Sequence, residues 1–170
     1  MEGVIVNKVA QSGIITLDLT PYIPVEADIA VFDLKPFLFR EMILREKDYR
    51  TALTEQEWEL FRDKHVALYC SADAIIPLWA YMLAASYLQP LAASVYFGDA
   101  GALKDHLVTT AIQALPQEEY RDKRIVVKGC GDVSIPASAY IAVTAHLRPV
   151  VKSLMYGEPC STVPVYKQPK

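Results

Sequence analysis

The chain has 170 residues, is 52% hydrophobic, and sets 17 basic against 20 acidic residues for a formal net charge of −3. That length buries one substantial core, and nothing in the composition calls for a second, so a single domain over 1–170 is expected. No basic field is present to draw in nucleic acid or anionic lipid, no uncharged apolar run reaches the ~18–20 residues that span a bilayer, and Met1–Lys8 has no basic segment leading into an apolar one. Partners are therefore expected to include neither nucleic acid nor membrane.

Residues 3–9 and 14–19 are short β-rich runs around Gln11-Ser12-Gly13 and could pair as an edge hairpin. Pro21 and Pro24 then break regular structure before the apolar run Ile29-Ala30-Val31-Phe32, and Pro36 makes 33–39 a loop or short turn. Residues 40–64 carry mixed charge with helical spacing. Thr54 with Glu57 three residues later predicts a capping box that divides this stretch into two helices.

From His65 onward strands and helices alternate: strand 66–69, helix 76–88, strand 94–97, helix 103–115, strand 124–128, helix 137–147. Such alternation predicts right-handed β-α-β crossovers. The expected fold is a three-layer α/β domain with a mostly parallel, Rossmann-like sheet holding these three strands, plus N-terminal strands. Ligands in such sheets bind beyond the carboxyl ends of the strands, here at Cys70, Gly98-Asp99 and Cys130.

Two corners resemble one another. His65-Val66-Ala67-Leu68-Tyr69-Cys70-Ser71-Ala72-Asp73 and Arg124-Ile125-Val126-Val127-Lys128-Gly129-Cys130-Gly131-Asp132 both run from an apolar strand to a cysteine and an aspartate. Each continues to Ile-Pro and Ala-Tyr, as Ile76-Pro77 with Ala80-Tyr81 and Ile135-Pro136 with Ala139-Tyr140. The likeness is read as local to the corners, with no solenoid-like repeat. If Cys70 and Cys130 end adjacent or next-but-one strands of one sheet, strand spacing puts them within ~10 Å of each other.

The third thiol, Cys160, lies in the proline-rich tail Gly157-Glu158-Pro159-Cys160-Ser161-Thr162-Val163-Pro164. A helix leaving the Cys130 corner unbroken to Tyr156 would carry it to the wrong end of the sheet. Pro149 offers a stop, after which 150–156 can turn back.

Three cysteines without an export signal point to reduced thiols in the cytoplasm. Thiolates select zinc or iron–sulfur species, so Cys70, Cys130 and Cys160 form the candidate metal set, with Asp73, Asp132, a histidine or water as a fourth ligand. A cysteine-dependent enzyme is the alternative, with Cys70 or Cys130 lowered in pKa at a helix N-terminus and Asp73 or Asp132 as orienting or acid–base group. That chemistry lacks a histidine base: His65 starts its strand at the end opposite Cys70, and His106 and His146 fall within helices. Gly98-Asp99-Ala100-Gly101 lacks phosphate-loop spacing and reads as a helix-entry turn. Trp79, Tyr81, Met82, Leu83 and Tyr87 make an aromatic-rich apolar helix, which suits a third class, a non-catalytic homodimeric binding or assembly protein.

The strings Cys-Ser-Ala-Asp-Ala-Ile-Ile-Pro-Leu-Trp-Ala-Tyr at 70–81, Lys-Gly-Cys-Gly at 128–131, Lys-Ser-Leu-Met-Tyr-Gly-Glu-Pro-Cys-Ser-Thr-Val-Pro at 152–164 and Leu-Arg-Glu-Lys-Asp-Tyr-Arg at 44–50 resemble the bacterial domain-of-unknown-function family 2480 over essentially the whole chain. The resemblance brings no established activity. It implies iron–sulfur assembly proteins as partners, and so a role accessory to iron–sulfur assembly.

Overall fold

A computed structural model of the chain describes residues 13–128, 131, 133–158 and 161–169. In chain order the strands are β1 Ile14–Leu17, β2 Ile29–Asp33, β3 Leu38–Phe39, β4 Ile43–Leu44, β5 His65–Tyr69, β6 Ser94–Phe97, β7 Arg124–Val127, β8 Ser153–Glu158 and β9 Ser161–Lys167. The α-helices are α1 Glu46–Glu55, α2 Leu78–Leu88, α3 Ala100–Gln113 and α4 Ala137–Leu147. These elements make an α/β protein with mostly parallel sheets, grouped into two compact units: a continuous unit, Pro24–Lys104, and a split unit, Met1–Ile23 with Asp105–Lys170.

In the continuous unit β5 is the middle strand of a parallel sheet ordered β2-β5-β6. Val66, Ala67 and Leu68 are all buried, as expected of a central strand with no polar alternation. Ala80, Ala84 and Leu88, spaced by four on one face of α2, pack with Val66, Leu68, Phe32 and the α1 residues Tyr49 and Leu53. The split unit repeats the arrangement. Its sheet runs β1-β7-β8-β9, parallel except for β9, and Ala139, Val143 and Leu147 of α4 pack with Ile125, Val127, Leu154, Val108 and Ile112. Burial of each such Leu or Ile contributes ~1.5–3 kcal/mol.

The three strands expected in one sheet are divided between two. Strands β5 and β6 are neighbours, whereas β7 lies inside the other sheet, between β1 and β8. Each middle strand recruits a first strand from earlier in the sequence, β2 for β5 and β1 for β7, so each set closes on its own helix. That pairing also replaces the expected hairpin of 3–9 with 14–19: β1 pairs in parallel with β7, and residues 3–9 lie outside the described residues.

The Thr54 capping box does not form. Helix α1 runs through Thr54, whose hydroxyl donates back to the Thr51 carbonyl at 2.7 Å. The break comes later, where a 3-10 helix, Trp58–Phe61, follows and the Trp58 indole donates to the Leu53 carbonyl at 2.8 Å. In the proline-rich tail, residues 157–158 end β8 and 161–164 begin the strand β9. It tolerates Pro164 because it is an edge strand.

The likeness of the two corners extends through both units. Aligned without a gap, 58–99 falls on 117–158. The 3-10 helices Trp58–Phe61 and Gln117–Tyr120 correspond, and so do the ion pairs Arg62–Glu59 and Arg121–Glu118. Helices α2 and α4 match residue for residue. Tyr81 meets Phe97 edge-on at 5.2 Å as Tyr140 meets Tyr156 at 5.5 Å. The first strands carry the same signature, Asp18-Leu19-Thr20-Pro21-Tyr22 and Asp33-Leu34-Lys35-Pro36-Phe37, each followed into a 3-10 turn. The fold is one β-β-α-β design used twice, with the continuous copy inserted after the first strand of the split one.

Candidate functional site

In the continuous unit the carboxyl ends of β2 and β5 meet at Asp33 and Cys70. Tyr69 closes β5, its carbonyl accepting the Leu34 amide at 2.8 Å, and Cys70 follows, half-buried against the core. Asp33 accepts the Ser71 amide at 2.9 Å, the Ser71 hydroxyl at 2.5 Å and the Lys35 amide at 2.9 Å. Burial pushes this carboxyl up, but the hydrogen bonds from Ser71 and Lys35 outweigh it and hold Asp33 below its ordinary value. Tyr81 stands by this corner, its phenol pushed up by burial first and then by the charges of Cys70 and Asp33. Asp73, expected as the acidic partner, is exposed. The carboxylate bonded into the corner is Asp33.

The split unit builds the matching corner from Asp18 and Lys128. Hydrogen bonds from the Thr20 hydroxyl and amide, the latter at 2.8 Å, hold the Asp18 carboxyl below its usual range, with Lys128 adding to the effect at 3.3 Å. Tyr140 donates its hydroxyl to the Lys128 carbonyl at 3.3 Å, and the Ser138 hydroxyl near the start of α4 is buried with no hydrogen-bond partner among the described residues. Cys130, Asp132 and Cys160 lie outside the described residues.

The strands that lead to the two split-unit thiols are nevertheless described. Helix α4 stops at Leu147, ahead of Pro149, and the chain returns as β8, running beside β7 and parallel to it with Val127 opposite Tyr156. This is the return that the proline predicts, made as a strand. Both strands therefore end at the same edge of the sheet, one three residues before Cys130 and the other two before Cys160.

Two expectations about the cysteines change. Cys70 and Cys130 do not follow strands of one sheet, so ladder spacing no longer sets the distance between them. The ungapped alignment also shifts the thiols by one position: Cys70 falls on Gly129, and Cys130 on Ser71, while Asp73 still matches Asp132. Among the described residues no three His, Cys, Asp or Glu side chains come together as a metal site. Two of the three cysteines proposed for one lie outside that set.

His65 opens β5 and shares a 2.8 Å hydrogen bond between its Nδ1 and the Ser94 hydroxyl. His146 ties the end of α4 to the segment that follows α3, with Nε2 2.8 Å from the Leu115 carbonyl and its own carbonyl accepting the Gln117 side-chain amide at 2.6 Å. At 98–101 the Asp99 carboxylate accepts the Ala102 amide at 2.8 Å, which makes this segment the expected helix-entry turn. Asp18 and Asp33 were not anticipated as corner residues. Their signal was the repeated Asp-Leu-x-Pro-aromatic string.

No described helix is long and apolar enough to cross a membrane. Comparison with curated proteins and with solved structures gives no match. The family model described as "Protein of unknown function (DUF2480)" matches residues 3–168, nearly the whole chain, and the protein belongs to that family.

Proposed function

We propose that Cys130 and Cys160 are thiolate ligands of one soft-metal site, for zinc or an iron–sulfur species, at the carboxyl edge of the split unit's sheet in a reducing cytoplasm. The observation that carries this is the parallel pairing of β7 with β8, Val127 opposite Tyr156, which ends at one edge the two strands leading to these cysteines. Paired thiolates are unfavourable without a cation, and Lys128, 3.3 Å from Asp18 at the end of β7, supplies only one positive charge there. Bound metal would stabilise the fold and release protons as its ligands ionise.

Elemental analysis and absorption spectra of anaerobically purified, untagged protein test the proposal. Near-stoichiometric zinc or iron is expected, lost in Cys130→Ser and in Cys160→Ser. Cys70 belongs to the continuous unit, and Cys70→Ser measures whether it is a third ligand. Substoichiometric metal, with a melting temperature unchanged when zinc or iron is supplied, would overturn the site.

A specific observation favours a second reading, nucleophilic chemistry at Cys130. In the alignment this residue takes the place of Ser71, whose hydroxyl bonds Asp33, and the corresponding Asp18 is paired with Lys128. A thiol beside an ammonium group has a lowered pKa. It would react with iodoacetamide faster than free cysteine at neutral pH, at a rate indifferent to chelators, and slow labelling would count against it.

A further inference from the structure

The opposite edge of the split unit's sheet carries a different feature. Ile14, Arg124, Ser153 and Lys167 stand directly opposite one another across β1, β7, β8 and β9, forming one row over four strands. Neighbouring strands are ~4.8 Å apart, so Arg124 and Lys167 flank Ser153 with backbones ~10 Å from each other. Lys152 precedes Ser153. Together these residues line a pocket of about 310 Å³ whose remaining wall is Met155, Pro164 and Tyr166. Arg148 lies over the Tyr166 ring at 4.9 Å and fixes that wall.

Three cations in one pocket is unusual in a chain of net charge −3. Seven of the described lysines and arginines find carboxylates, in Lys35–Glu41, Arg45–Asp48, Arg50–Glu46, Arg62–Glu59, Lys104–Glu26, Arg121–Glu118 and Lys128–Asp18. None of those pairs includes Arg124, Lys152 or Lys167. Like charges collected at a concave surface with apolar walls focus a positive potential into it.

The duplicated half serves as an internal control. Its counterparts of Arg124 and Lys152 are His65 and Ala93, and among the described residues its sheet has no strand in the place of β9. The pocket is thus an addition to one copy and no requirement of the shared fold.

We infer that this pocket binds a small organic anion, an apolar ring or short chain bearing a terminal phosphate or carboxylate. The anion sits among Arg124, Lys152 and Lys167, and the apolar body rests on Met155, Pro164 and Tyr166. The volume is at the small end of ligand sites, which suits a single ring. The cations are gathered in one pocket and form no stripe that could follow a nucleic-acid backbone. The site lies at the amino ends of β7 and β8, and so is separate from the edge assigned to the thiols.

The test is calorimetric titration of the full chain with phenyl phosphate and benzoate, beside inorganic phosphate and benzyl alcohol. One-site binding of at least one aromatic anion is expected, weakened by added salt and tighter than binding of either inorganic phosphate or benzyl alcohol. Lys152→Gln and Lys167→Gln, both at exposed positions, should each lower affinity by about tenfold, with melting temperature unchanged. Absence of saturable binding into the millimolar range, equal binding of inorganic phosphate, or full affinity in both lysine variants would overturn the assignment.

Discussion

Asp63 and Asp122 occupy the same left-handed turn in the two halves of the chain, each with a φ of 58°. Each amide crosses to the loop that follows the next helix, from Asp63 to the Leu91 carbonyl at 3.0 Å and from Asp122 to the Val150 carbonyl at 2.9 Å. The turn is what lets the middle strand start in register with the last.

A left-handed conformation costs an ordinary L-residue ~1–2 kcal/mol and glycine almost nothing. Asp63→Gly and Asp122→Gly are therefore expected to be neutral or stabilising by up to ~1 kcal/mol, and the valine variants destabilising by ~1–2 kcal/mol or more. Denaturant midpoints check this. The two positions should agree in sign, and a valine tolerated at one of them would show that the turns are not equivalent.

Gly157 and Gly98 also correspond, with φ values of 122° and 148°. A Cβ at 157 would lie 2.5 Å from the Ser161 backbone carbonyl oxygen, whereas at 98 the nearest atom is the Tyr96 ring at 3.0 Å. Backbone cannot step aside as a ring can. Gly157→Ala should cost ~1–3 kcal/mol and Gly98→Ala less, read from thermal unfolding; a Gly157→Ala protein of wild-type stability would contradict this.

Asp33 is held below its ordinary carboxyl value, so its contribution to stability has a definite sign. A depressed folded-state pKa stabilises above the unfolded value of ~3.9, and that contribution disappears as pH falls through the folded value. Asp33→Asn should be less stable than wild type at neutral pH, and the difference should shrink as pH falls below ~4. Urea unfolding across that range is the measurement, and a pH-independent gap would assign Asp33 only a packing role.

Leu88 and Leu147 are each fully buried, one in either core. Truncation to alanine should cost ~2–5 kcal/mol at each site. If the chain is the single domain that its length suggests, both variants shift one cooperative transition. Two transitions, each moved by one variant, would mean that the halves unfold separately.

The sequence was most legible where local chemistry decides the outcome. Strand 94–97 and helix 137–147 have the observed limits, because apolar runs are bounded by Pro136 on one side and by Gly98 or Pro149 on the other. Sheet membership was not legible. It depends on which earlier strand pairs with β5 and which with β7, and the deciding residues lie far away in sequence, at Ile29 and Ile14. The thiol corners misled for a related reason. The two corners were set side by side in the right frame, Asp73 on Asp132 and Ile76-Pro77 on Ile135-Pro136, but in that frame Ser71 is the partner of Cys130 and Gly129 that of Cys70, so the thiols are one position out of step. Thr54 had the composition of a helix start, but its hydroxyl found a carbonyl within the preceding turn.

The nesting of one copy inside the other sets an order of events during synthesis. Strand β1 precedes the whole continuous unit yet pairs with β7, Ile14 against Arg124. At ~5–20 residues per second, β1 leaves the ribosome on the order of ten seconds before its partner, while β2, β5 and β6 already have one another. The half that carries Cys130 and Cys160 is therefore the last to assemble, and its first strand has no ladder partner until β7 has been made.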